Sequence, residues 1–119
     1  RGYRLLIVDD DVDGLEMLCQ TLATHGADIF SASSAQLALE TLEVETVDLV
    51  ITDLGMPGMD GFDLLKALQT NYPDLPVIAL TAFAREEDHR RSMAVGFKAH
   101  LTKPVRTDDL LFNIKKLAS

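Results

Sequence analysis

Residues 49–61 read LVITDLGMPGMDG. The first three are apolar without alternation, the pattern of a short strand covered on both faces. Asp53 to Gly61 then holds three glycines and a proline, which makes it loop. A doubly covered strand that runs straight into an acidic loop fits a parallel sheet with helices on either side. The chain elsewhere repeats this unit. Arg4 to Val8 (RLLIV) is a second, almost wholly apolar run, and it leads into Asp9, Asp10, Asp11 and Asp13.

The segments between these runs alternate in period. Val12, Leu15, Leu18, Cys19 and Leu22 fall at helical spacing, with Gly26 as a stop. Ile29 to Ala32 reads as a strand. Ser33 or Ser34 can cap a helix that carries Leu37, Ala38 and Leu42, with Glu40 and Glu43 outward. Phe62, Leu65 and Leu68 mark a third helix ending before Pro73. Val77 to Leu80 is a fourth strand, Glu86 to Val95 a polar helix stopped by Gly96, and Phe97 to Leu101 a fifth strand. Thr107 can cap a last helix bearing Leu110, Leu111, Ile114 and Leu117. Five strands alternating with five helices imply one α/β domain over residues 1–119, its parallel sheet flanked by helices on both faces.

Composition narrows the function. The chain has 119 residues, is 47% hydrophobic and 25% charged, and is therefore globular rather than disordered. Cys19 is the single cysteine, so no internal disulfide can form, which suits a reducing compartment. No apolar run approaches the roughly 20 residues of a membrane span. The chain opens Arg1-Gly2-Tyr3 without an initiator methionine, and a fragment of a longer protein is expected. Residues 1–60 carry 12 acids and 2 bases, whereas residues 61–119 carry 7 acids and 9 bases. The net charge of −8 argues against nucleic acid as a direct partner.

In open parallel sheets the ligand sits beyond the carboxyl ends of the strands. Those ends present Asp9 and Asp10, Asp53, Thr81 and Ala82, and Lys103 and Pro104. Clustered carboxylates with loop carbonyls suit a hard cation, best Mg²⁺, and no histidine–cysteine set is present for zinc. A lysine and a hydroxyl beside such a cation suit phosphoryl oxygens, and a carboxylate there could itself attack phosphorus. The run Gly55 to Gly61 fits neither glycine-rich nucleotide fingerprint, so a nucleotide is not expected.

With these residues in order, the chain resembles the receiver domains of two-component response regulators over essentially its whole length. Asp9-Asp10, Thr52 to Gly61, Leu80-Thr81-Ala82 and Lys103-Pro104 carry the resemblance. It implies a doubly wound, flavodoxin-like (βα)5 fold with strand order 2-1-3-4-5. It implies that Asp53 accepts a phosphoryl group from a histidine kinase or histidine phosphotransfer domain. Asp10, Asp53 and the backbone carbonyl of Gly55 would ligate Mg²⁺, with Asp9 acting through a bound water. Lys103, Thr81 and the Ala82 amide would meet the phosphoryl oxygens, and the Lys103–Pro104 peptide would be cis. The domain would catalyse its own phosphorylation and dephosphorylation and relay the state through protein contacts. It would be cytoplasmic, without membrane contact of its own, although its parent could be membrane-tethered.

Departures from the family pattern sharpen these expectations. The switch position of the fifth strand, where the family has tyrosine or phenylalanine, is His100. Gly55 and the run Ala99 to Val105 resemble receivers attached to hybrid sensor kinases. Phe83, two residues after Thr81, is expected to shield the phosphoryl group and slow its hydrolysis. Two alternatives compete: a contact-only pseudo-receiver, which the intact acidic set disfavours, and a Mg²⁺-dependent phosphohydrolase. The latter needs a carboxylate two residues after its nucleophile, where Gly55 stands. His25 and His89 read as surface residues, Cys19 as core, and Met56 and Met59 as packing. Arg85, Arg90, Arg91, Lys98, Lys103, Arg106, Lys115 and Lys116 are 8 of the 11 bases, and several fall on the side of the fourth helix, fifth strand and fifth helix, where they read either as a solvated face or as a docking or dimerisation surface.

Overall fold

The computed structural model describes residues 2–82 and 85–118. Five strands, β1 (Arg4–Val8), β2 (Asp28–Ala32), β3 (Leu49–Thr52), β4 (Val77–Thr81) and β5 (Ala99–Thr102), form one sheet in the order 2-1-3-4-5. Every pairing is parallel. Five helices alternate with them: α1 (Val12–Thr24), α2 (Ala35–Val44), α3 (Gly61–Asn71), α4 (Glu86–Val95) and α5 (Thr107–Ala118).

Successive strand side chains point to opposite faces, so each central strand feeds two cores. Leu6, Val8, Val50 and Ala79 pack with Ala38 and Leu42 of α2 and Leu64, Leu65 and Leu68 of α3. Leu5, Ile7, Leu49, Ile51, Ile78 and Leu80 pack on the other face with Leu15 and Leu22 of α1 and Leu110 and Ile114 of α5. Each buried Leu, Ile or Val among these stabilises the fold by roughly 1.5–3 kcal/mol relative to exposure. This double burial is why the strands read as unbroken apolar runs.

The helix starts are fixed by short polar side chains. Asp11 accepts from the Gly14 amide to cap α1, and Ser34 accepts from the Leu37 amide to cap α2. Asp60 and Asp63 form a reciprocal capping box on α3, at 2.9 and 3.1 Å. Asp60→Ala is expected to lower the unfolding free energy by about 1 kcal/mol, read as a shift of the urea midpoint at unchanged slope.

The structure departs from the periodicity at four points. The fifth strand begins at Ala99, not Phe97: Gly96 leaves α4 at φ 120°, and the Phe97 amide still bonds the Ser92 carbonyl. Phe97 is a core residue instead, edge-on to Phe62 at 5.7 Å. Thr107 is the first residue of α5, because the first helical bond is accepted by the Arg106 carbonyl. Leu37 is exposed, since Ala35, Ala38 and Leu42 occupy the inward stripe of α2. Val12 is likewise exposed at the start of α1.

Candidate functional site

The register of the two central strands builds the site. Val8 of β1 lies opposite Thr52 of β3. Asp9 and Asp53 are the next residue of each strand, so they emerge side by side, and the Asp53 amide bonds the Val8 carbonyl at 2.9 Å. Asp10 follows at the surface. One carboxylate oxygen from each of Asp9, Asp10 and Asp53 lies within 4.8 Å of the others.

Lys103 enters from the edge of the sheet. Its amide bonds the Thr81 carbonyl at 2.8 Å, and the Lys103–Pro104 peptide is cis. Its Nζ donates to Asp9 Oδ2 at 2.7 Å and lies 3.6 Å from Asp53 Oδ2. Thr81 ends β4 fully buried, and Ala82 follows it at the surface. Gly55 lies exposed in the loop, and its amide donates to Asp53 Oδ1 at 3.4 Å. Asp11 does not join the cluster; its side chain caps α1. Phe83 lies outside the described residues.

The electrostatics follow from this packing. Burial pushes the Asp53 carboxyl above the ordinary aspartate range; Lys103 opposes that rise and Asp9 adds to it. Burial alone would lower the Lys103 ammonium, but the Asp9 hydrogen bond and the charges of Asp53 and Asp9 outweigh it, and the group is held above the ordinary lysine range. Lys103 sits closer to Asp9 than to Asp53, so its charge offsets only part of the cost of ionising Asp53.

A carboxyl raised on folding favours the native state below its unfolded pKa and loses that contribution as pH rises through the folded value. At neutral pH, ionised Asp53 therefore opposes folding. Asp53→Asn is expected to melt higher than wild type in metal-free buffer at pH 7. The difference should shrink on acidification toward the ordinary aspartate range, and also on adding Mg²⁺. Thermal melts at several pH values check this.

Three carboxylates and one ammonium leave two negative charges uncompensated. All the donors are oxygens, and two of the carboxylates are shielded from solvent. This set fits a hard divalent cation such as Mg²⁺.

His100, on β5, is buried, with Nδ1 at 2.8 Å from Ser92 Oγ of α4. The His89 ring stands 5.2 Å from the His100 ring. Sequence reasoning missed Ser92 and this contact of His89. The available signal was the spacing of His89 and Ser92, three apart on a polar helix. At the start of α4, Arg85 pairs with Glu87 and Asp88, and Arg90 pairs with Glu86, so the charge of these two arginines is met locally.

Comparison with known proteins agrees with this geometry. Residues 5–115 match the response regulator receiver domain family. A 14.6 kDa protein of Leptolyngbya boryana is 42% identical over 109 residues, covering 90% of this chain and 83% of that protein. The heme response regulator HssR of Staphylococcus aureus is 39% identical over 110 residues, covering 92% of this chain. The chain spans about half of that regulator, 49% of its length. The structure of the response regulator TrrA of Thermotoga maritima, in complex with Mg²⁺ and BeF, superposes with a TM-score of 0.86 at 30% identity, covering 97% of this chain and 98% of that one. Among the described residues no helix is long and apolar enough to cross a membrane. Receiver domains bind Mg²⁺ at an acidic cluster and interact with histidine kinases or phosphotransfer proteins. The chain belongs to the response regulator receiver domain family, whose members are phosphorylation-switched signalling domains.

Proposed function

We propose that Asp53 is the phosphoacceptor of this domain, and that its phosphoryl group comes from a histidine kinase or a histidine phosphotransfer domain in the cytoplasm. One observation carries the reading: the Asp53 carboxylate sits at the end of a buried strand, in one cluster with Asp9 and Asp10, 3.6 Å from Lys103. Burial makes it a more basic nucleophile, and the lysine keeps it available as the anion.

The chemistry is an in-line displacement. An Asp53 oxygen attacks phosphorus, the new P–O bond forms as the P–N bond to the donor imidazole breaks, and the bonding pair stays with nitrogen. Lys103 turns from Asp9 and Asp53 to a phosphoryl oxygen. The Thr81 hydroxyl and the Ala82 amide meet others. Asp10, Asp53 and the Gly55 carbonyl would hold Mg²⁺ directly, and Asp9 would support it through water. Mg²⁺, when bound, neutralises charge on the transferring oxygens. Lys103 already stands beside Asp53, so its turn is short.

The switch runs through Thr81 and His100. Movement of Thr81 toward the phosphoryl group frees space beside His100, and an inward imidazole gives up its bond to Ser92. The face of α4, β5 and α5 is the docking or dimerisation surface that reads this change. Its exposed Met93, Val95 and Phe112 support that role.

Borohydride reduction of the phosphorylated protein, followed by peptide mass mapping, tests the acceptor. Residue 53 alone is expected to appear as homoserine; reduction at Asp9, Asp10 or Asp60 instead would overturn the assignment.

A further inference from the structure

Thr52 is a fully buried hydroxyl immediately before the acceptor. A hydroxyl removed from water must be hydrogen-bonded or it costs stability. Here Thr52 Oγ1 donates to the backbone carbonyl of Asp53 at 2.9 Å. The next carbonyl, that of Leu54, accepts the Gly61 amide at 3.1 Å. Two successive carbonyls of the acceptor segment are thus held by two different elements, the end of β3 and the start of α3.

Gly61 makes this approach close. A Cβ at position 61 would stand 2.4 Å from the Asp53 carbonyl oxygen and 2.9 Å from the Leu54 Cα, both backbone atoms that cannot step aside cheaply. The first turn of α3 is itself fixed by the Asp60–Asp63 capping box. The backbone from Asp53 to Gly55, which carries both the acceptor side chain and the Gly55 carbonyl, is therefore gripped from two sides.

We propose that Thr52 is a positioning residue for phosphoryl transfer, acting through its hydrogen bond to the Asp53 carbonyl, with Gly61 completing the clamp. The proposal rests on Asp53 being the acceptor. A change of ψ at Asp53 would displace the Gly55 carbonyl relative to the Asp53 carboxylate, and the bond from Thr52 to the Asp53 carbonyl opposes that change. In-line transfer is sensitive to displacements of an ångström or less. Thr52 touches neither the phosphoryl group nor the cation, so it acts by holding the acceptor, not by contributing charge.

The test compares Thr52→Val, which keeps the shape and deletes the donor, with Thr52→Ser, which keeps the donor. The initial rate of phosphorylation by acetyl phosphate is measured against donor concentration and against Mg²⁺ concentration, with the fold checked by circular dichroism. Thr52→Val is expected to lower the rate at saturating donor by about tenfold and to weaken Mg²⁺ binding, with the donor concentration for half-maximal rate little changed. Thr52→Ser is expected to stay within about twofold of wild type. Equal rates in all three proteins, or an equal loss in both variants, would overturn the proposal, the second because only packing would then matter. If Thr52→Val does not fold, Thr52→Ala carries the same comparison with the same readings. Failure of the wild type itself to gain a phosphoryl group on Asp53 would instead overturn the acceptor assignment beneath it.

Discussion

Lys103→Met is expected to slow phosphorylation by a small phosphodonor by about 10²- to 10³-fold with the fold retained. The side chain is half-buried, and its ammonium is the positive group that the structure sets against Asp9 and Asp53. A phosphoryl group arriving on Asp53 brings further negative charge into a place that already holds three carboxylates. The transition state spreads that charge over the phosphoryl oxygens, and an ammonium already beside Asp53 meets it after only a short turn. Methionine keeps the length of the stem and removes the ammonium, with its charge and its hydrogen bond to Asp9. Stability should fall as well, in a direction set by linkage. Lys103 is raised on folding, so its contribution is complete below the unfolded lysine pKa and is lost only as pH rises through the folded value. The metal-free variant should therefore be less stable than wild type at neutral pH, and the gap should close in strongly alkaline buffer. Initial rates by phosphate-affinity gel and melts across pH check both statements. A variant that phosphorylates at the wild-type rate would remove Lys103 from the chemistry.

Asp10→Asn is expected to weaken Mg²⁺ binding by about 10- to 100-fold, the range found when groups supporting a metal site are lost. The residue suits the test because its structural duties are few. It is exposed, the cap of α1 is supplied by Asp11, and the lysine contact is made by Asp9. The variant should bring little change in fold and a large change in cation affinity. Its phosphorylation rate should fall steeply at low Mg²⁺ and recover as Mg²⁺ is raised, whereas chelation should abolish phosphorylation in both proteins. A rate that stays low at every Mg²⁺ concentration would mean that Asp10 does something other than hold the cation.

The fold was legible because its strands are buried on both faces. RLLIV and LVI admit few other readings between helical segments of ordinary length, and strand order then followed from family resemblance. The acidic cluster was legible for a related reason: β1 and β3 are neighbours in register, so the residues just past their ends must meet. Other features depend on packing that periodicity does not encode. Phe97 looked like a strand residue because it is apolar and follows a glycine, yet the chain at Gly96 is still turning away from α4. Leu37 looked inward because it is apolar, but the rotation of α2 is set by Ala35, Ala38 and Leu42. The Ser92–His100 bond joins a helix to a strand eight residues later, and only their docking angle brings the two together. Thr52 lay just past the apolar run Leu49 to Ile51, and nothing local revealed that its hydroxyl turns to the next carbonyl.

The decisive measurement is the intact mass of the protein after incubation with Mg²⁺ and acetyl phosphate, beside Asp53→Asn and a chelated control. The expected result is the gain of one phosphoryl group by the wild type and none by the variant or the chelated sample. A gain that persisted in Asp53→Asn would contradict the acceptor assignment, and no gain in folded, Mg²⁺-bound wild type would contradict intrinsic phosphotransfer chemistry at this site.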